Sequence, residues 1–225
     1  IMSASRDRVR QALSHQGSDR IPVDFGATAV TGIHCRVVEA LRKHYGLSYK
    51  PVKIVDTLQM LGEVDRDLAD AMGVDCIGVG GTRDIFDHDT ECMHEQVTPW
   101  GQKVLVPIQL DLTQDKEGDV YVYAGGDKNY PPSAVMPNGC FFINAIERQQ
   151  PIDEDKLNPM DNLEEFNSIT DEELDAYKKK VNEASATGRA VVASFGGTAL
   201  GDVAFVPGMG LKEPKGIRSV VEWYM

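Results

Sequence analysis

The positions in this sequence able to do chemistry are polar and glycine residues that follow short apolar runs. Residues 190–195, Ala-Val-Val-Ala-Ser-Phe, run straight into Gly196 and Gly197. Glycines there let the backbone turn sharply and come close to a ligand. Residues 74–79 leave in the same way through Gly80 and Gly81 toward Arg83 and Asp84, and residues 20–26 end on Asp24, Phe25 and Gly26, with His34 at the start of the helical pattern that follows. In a parallel α/β fold, ligands bind at the carboxyl ends of strands. Asp24, His34 and Asp84 are therefore read as lining one active-site mouth, with Gly196 and Gly197 as its close-approach wall. The loop is not a nucleotide cradle, because no Lys-Ser or Lys-Thr follows its glycines. Cys92 and His94 offer two ligands to a metal but lack a visible partner pair, so no metal site is assigned within the chain.

The elements that must position these residues read as a strand-helix alternation. A helix capped by Ser3 or Ser5 runs to about Ser14, a strand covers 20–26, and Ile33, Val37, Val38, Leu41 and Tyr45 mark a helix closed by Gly46. Leu58, Leu61, Leu68 and Met72 place a second helix over 56–72, which Gly73 ends before the strand at 74–79. From about 95 to 145 the texture changes. Residues 102–107 and 119–123 read as the two arms of an antiparallel hairpin, within an insertion that folds over the mouth. Thr170 and Glu173 form a capping box, the helix behind them stops at Gly188, and the strand at 190–195 follows. A last short helix spans 217–224. Three strand-helix units do not close an eight-stranded barrel, which takes about 250 residues, so either more polypeptide exists or this is a small open α/β domain.

At 225 residues and 42% hydrophobic, the chain can bury a core without disulfides or a structural metal. With 35 acidic and 23 basic residues its net charge is −12, which disfavours nucleic acid and anionic membranes as partners. No apolar run is long enough to span a bilayer, and the first residues lack the apolar core of a signal peptide. Cys35, Cys76, Cys92 and Cys140 form no CxxC pair, as expected of reduced thiols in a cytoplasmic protein.

Four stretches resemble the uroporphyrinogen decarboxylase superfamily: residues 8–23 (Arg-Val-Arg-Gln-Ala-Leu-Ser-His-Gln-Gly-Ser-Asp-Arg-Ile-Pro-Val), 68–75 (Leu-Ala-Asp-Ala-Met-Gly-Val-Asp), 132–142 (Pro-Ser-Ala-Val-Met-Pro-Asn-Gly-Cys-Phe-Phe) and 194–201 (Ser-Phe-Gly-Gly-Thr-Ala-Leu-Gly). The resemblance implies a (β/α)8 TIM barrel, of which this chain is expected to be the amino-terminal part. It also implies a tetrapyrrole-type ligand, because the family holds both the decarboxylase and the methylcobamide-dependent methyltransferases. Where the decarboxylase carries an Arg-Gln-Ala-Gly-Arg-Tyr motif that meets substrate carboxylates, this sequence reads Asp24-Phe-Gly-Ala-Thr-Ala. An arginine grips a carboxylate in bidentate fashion, whereas an aspartate repels it. Arg83-Asp84-Ile85-Phe86 is similar to the family's Ser-Asp-Ile-Leu, whose aspartate hydrogen-bonds pyrrole N–H groups. This similarity implies that Asp84 is the catalytic carboxylate. Phe205 falls where the family has a tyrosine, keeping the ring without the hydroxyl.

The expectation is thus an enzyme of methyl transfer to or from a corrinoid, a methylcobamide carried by a partner protein. The family resemblance places its zinc ligands, a His-x-Cys pair and a further cysteine, beyond Met225. The alternatives are cofactor-free decarboxylation of uroporphyrinogen and a non-catalytic protein that only binds a corrinoid. A homo-oligomer is compatible with the sequence.

Overall fold

The structure, a computed structural model, describes residues 4–194 and 205–225. In chain order its principal elements are α1 (Ser5–Leu13), β1 (Ile33–His34), α2 (Cys35–His44), β2 (Val52–Asp56), β3 (Leu61–Gly62), α3 (Arg66–Met72), β4 (Cys76–Val79), β5 (Met93–Val97), β6 (Lys103–Pro107), β7 (Val120–Val122), β8 (Ala134–Met136), β9 (Asn144–Ala145), α4 (Asp171–Ser185), β10 (Ala190–Ala193) and α5 (Val220–Trp223). They divide into two compact units. The first comprises the described residues of Ile1–Asp56, Leu61–Thr82 and Ile169–Phe195; the second comprises those of Thr57–Met60, Arg83–Ser168 and Gly196–Met225.

In the first unit, β1, β3 and β2 pair antiparallel and α2 lies against them. Val52 and Ile54 alternate inward on β2 and meet Val38 of α2 in the core. The helix comes so close that a Cβ on Gly62 would lie 2.5 Å from Val52 Cγ1 and 3.1 Å from the Cys35 Cα. Only glycine fits there. The other half of this unit is the parallel pair β4 and β10, from Cys76 opposite Ala190 to Val79 opposite Ala193, with α1 and α4 against it. Gly78 is its tight point, because a Cβ there would meet the Ala27 carbonyl oxygen at 2.0 Å.

Helix α4 begins at the expected capping box. Thr170 Oγ1 accepts from the Glu173 N–H at 3.2 Å, and the Glu173 carboxylate accepts from the Thr170 N–H at 2.8 Å. Both orphan donors are satisfied, so Thr170→Ala is expected to cost about 1 kcal/mol. A thermal melt followed by helical circular dichroism would check this, and an unchanged midpoint would remove the capping role.

In the second unit, β5 and β6 form a hairpin running from Met93 opposite Pro107 to Val97 opposite Lys103, and β7, β8 and β9 form an antiparallel ladder. Val104, Val106, Val120, Val122, Ala134 and Met136 turn inward at alternate positions and pack with Phe86, Leu110 and Ile143 as a core.

These pairings overturn the expected (β/α)8 barrel. Among the described residues there is no closed barrel. Among the described residues within each unit, β4 with β10 is the one parallel strand pair, and the other pairs are antiparallel. A barrel needs a parallel neighbour on both sides of every strand. Residues 20–26 form no strand. Val23 instead accepts from the Asp75 N–H and donates to the Asp75 carboxylate. Residues 56–72 are helical only over α3, where Asp65 caps the helix, because β2 and β3 occupy the start of that stretch. The arm at 103–107 pairs backward with 93–97 and not forward with 119–123. Among the described residues no helix is long and apolar enough to cross a membrane.

Candidate functional site

The turn at 84–88 in the second unit concentrates the polar chemistry of that unit's interior. Asp84 Oδ1 accepts from the N–H groups of Phe86 and His88, both at 2.9 Å, and the Asp84 N–H donates back to the His88 carbonyl at 3.0 Å. An aspartate that bonds the amides ahead of it makes such a turn in preference to helix or strand. Asp87 accordingly sits at φ +62°, in the left-handed region. The second carboxylate oxygen, Oδ2, accepts from the Thr57 hydroxyl at 2.6 Å and lies 3.2 Å from His88 Nδ1. His88 is fully buried, stacks on the equally buried Phe86, and has its Nε2 3.0 Å from the Tyr123 carbonyl oxygen. Gly125 N–H donates to the Phe86 carbonyl at 2.7 Å.

Burial pushes the Asp84 carboxyl up. His88 and the hydroxyl of Thr57 outweigh it and hold the group below the ordinary carboxylate range. The carboxylate is ionised and only 5% exposed, with both oxygens engaged. In this arrangement it anchors a turn and has no oxygen turned toward solvent for a substrate.

The other expected site residues lie elsewhere. Asp24, in the first unit, closes a local turn by accepting from the Ala27 N–H and the Thr31 hydroxyl, each at 3.2 Å. His34, in the same unit, caps α2. Its Nδ1 accepts from the Arg36 N–H at 3.3 Å, so in the neutral ring the proton sits on Nε2. Phe205, in the second unit, is 40% exposed and heads a turn in which its carbonyl accepts from the Gly208 N–H. Gly196 and Gly197 lie outside the described residues. Asp24 and His34 thus belong to one unit and Asp84 and Phe205 to the other.

Thr57 and His88 were not singled out from the sequence. A histidine four residues after a turn-forming aspartate is the signal that could have found His88. Thr57 carries no comparable mark, being 27 residues upstream.

Among the described residues no group of three or more His, Cys, Asp and Glu side chains is arranged to hold a metal ion. The two-residue candidate is otherwise committed. His94 Nε2 lies against the Leu110 carbonyl and the Gln96 amide, and a hydrogen bond to Asp89 pushes the Cys92 thiol up, away from the thiolate a metal needs.

Fold and site together describe a mixed α/β protein of two compact units, the second holding a buried hydroxyl–carboxylate–imidazole cluster. No family model, curated protein or solved structure matches the chain.

Proposed function

We propose that the chain acts in methyl transfer with a methylcobamide carried by a partner protein, in the manner of the methylcobamide-dependent branch of the superfamily that its four stretches resemble. One observation carries this reading over decarboxylation. At residues 24–29 the loop contains no arginine, and its only charged group is the Asp24 carboxylate, whose two partners, the Ala27 amide and the Thr31 hydroxyl, are neutral. A porphyrinogen rich in carboxylates would meet repulsion there. A corrinoid, whose side chains are largely amides, would not.

On this reading Asp84 serves by holding the 84–88 turn of its own unit, where Phe205 also lies. The protein acts in the cytoplasm, with a corrinoid protein as partner and neither nucleic acid nor membrane. The described residues do not fit a zinc ion, so no step is routed through one. The closure of Asp84 favours a second reading, corrinoid binding without turnover.

Titration of the purified chain with methylcobalamin, followed by the corrinoid absorbance, tests the proposal beside an anaerobic assay with uroporphyrinogen. Saturable corrinoid binding with no loss of uroporphyrinogen is the expected result. Turnover of uroporphyrinogen without corrinoid binding would overturn it.

A further inference from the structure

Asn138 is the one asparagine of the sequence that a glycine follows. It stands in a reverse turn closed by the Cys140 N–H, which donates to the Pro137 carbonyl at 2.9 Å, with Gly139 at φ +78°. Asn138, Gly139 and Cys140 are all exposed, and nothing lies within 4 Å of where a Gly139 Cβ would stand. Among the described residues the Gly139 N–H donates to no acceptor. A backbone nitrogen without partner or cover is thus the immediate neighbour of a side-chain amide carbon, the pairing that closes a five-membered imide ring. After every other asparagine a side chain crowds that nitrogen.

The same asparagine has a structural task. Its Nδ2 donates to the Glu117 carbonyl at 3.0 Å, and its N–H donates to Asp119 Oδ1 at 2.8 Å. The amide lies so close over Gly118 that a Cβ there would meet Asn138 Cγ and Nδ2 at 2.6 Å. These contacts tie the turn at 115–119, ahead of β7, to the turn at 137–140, behind β8, at the end of the ladder where Val120 stands opposite Met136. The tie needs a donor at 138. A carboxylate there would face the Glu117 carbonyl oxygen and stand among Asp115, Glu117 and Asp119, with Lys116 as the cation of that turn.

We infer that Asn138 is a site of spontaneous deamidation and that the modification unties the two turns. The Gly139 nitrogen gives its proton to solvent hydroxide and attacks Asn138 Cγ; the bond from Cγ to Nδ2 breaks, and that nitrogen leaves as ammonia. Water then opens the imide at either carbonyl. One product is aspartate, and the other is isoaspartate, in which the main chain runs through Cγ. Neither can donate to the Glu117 carbonyl. The inference is independent of the methyl-transfer reading.

Incubation of the intact chain at mildly alkaline pH and body temperature, followed by digestion and peptide mass spectrometry, tests it beside a synthetic peptide of residues 134–142. Residue 138 is expected to lose its amide in both, ahead of every other asparagine of the chain. A folded chain that keeps this amide while the peptide loses it would overturn the inference, and so would conversion spread evenly over the asparagines. Asn138→Asp reproduces the charge of the product. Its melting midpoint, read by the fluorescence of the two tryptophans of the second unit, should fall by roughly 3–6 °C, the loss of a single hydrogen bond in a unit of this size. An unmoved midpoint would overturn the untying. Should Asn138→Asp not fold, the wild-type chain melted before and after conversion decides alone.

Discussion

Asp75→Asn is expected to destabilise the first unit by about 3–5 kcal/mol, the cost of breaking a buried ion pair from one side. The Asp75 carboxylate has no exposure. It accepts from Arg8 Nη1, from both terminal nitrogens of Arg20 at 2.7 and 3.0 Å, and from the Val23 N–H at 2.9 Å. Burial pushes the carboxyl up, but the Val23 amide, Ser5 and Arg20 outweigh it and leave the group below its ordinary range. An asparagine has the same shape but is uncharged, and its NH2 would have to face donors. Arg8, almost wholly buried, would lose one of its countercharges and keep Asp19. A folded value below the unfolded one means that this stability is present above about pH 4 and is lost as pH falls through the folded value. The variant should therefore show both a lower urea midpoint, by about 1–2 M, and a shallower acid limb. Helical circular dichroism is the proper readout, because α1 to α4 all belong to the first unit. Asp19→Asn, whose carboxylate is 30% exposed, should lose less. Equal losses in the two variants would mean that burial of Asp75 is not what matters.

What could be read from the sequence were features set by near neighbours. The Thr170 and Glu173 capping box is such a feature, since both partners lie within one turn. Apolar runs closed by glycine located β4 and β10, and the parallel pairing expected of them is present. The expectation of a barrel failed because pairings such as β4 with β10 join residues far apart in the chain. The strand, glycine and polar-residue pattern does not say which strand pairs with which. Leu58 and Leu61 fit the helical period of Leu68 and Met72 by coincidence, since only the latter two lie in α3. The inward alternation of Val52 and Ile54 and the Asp65 cap were the better guides. The cluster at Asp84 divides in the same way. Asp84 and His88 sit in one turn and leave a local trace, whereas Thr57 arrives from a distant segment of the same unit.

Arg218→Met should lower the stability of the second unit by about 2–4 kcal/mol, through bonds left unmade more than through charge lost. The guanidinium is 2% exposed and serves several directions at once. Nε donates to the Lys215 carbonyl at 2.5 Å, Nη2 to the Asp161 carbonyl at 2.8 Å, and Nη1 to Glu165 at 2.9 Å, with Glu164 3.4 Å from Nη2. It thereby ties 161–165 to 215–218. Methionine fills a similar length but leaves the two carbonyls without their donor, while the glutamates, about a quarter exposed, can turn to water. That asymmetry keeps the expected loss below that of Asp75→Asn. Removing the charge also relieves Arg148, whose guanidinium is held down first by burial and then by the positive charge of Arg218. Arg218→Lys keeps a charge but loses the planar fork, so it should recover less than half of the loss. Both tryptophans of the chain, Trp100 and Trp223, belong to the second unit, so intrinsic fluorescence reads this transition directly. A fluorescence midpoint unmoved in Arg218→Met would show that the guanidinium does not hold these segments together. Full recovery in Arg218→Lys would show that charge, and not the fork, holds them.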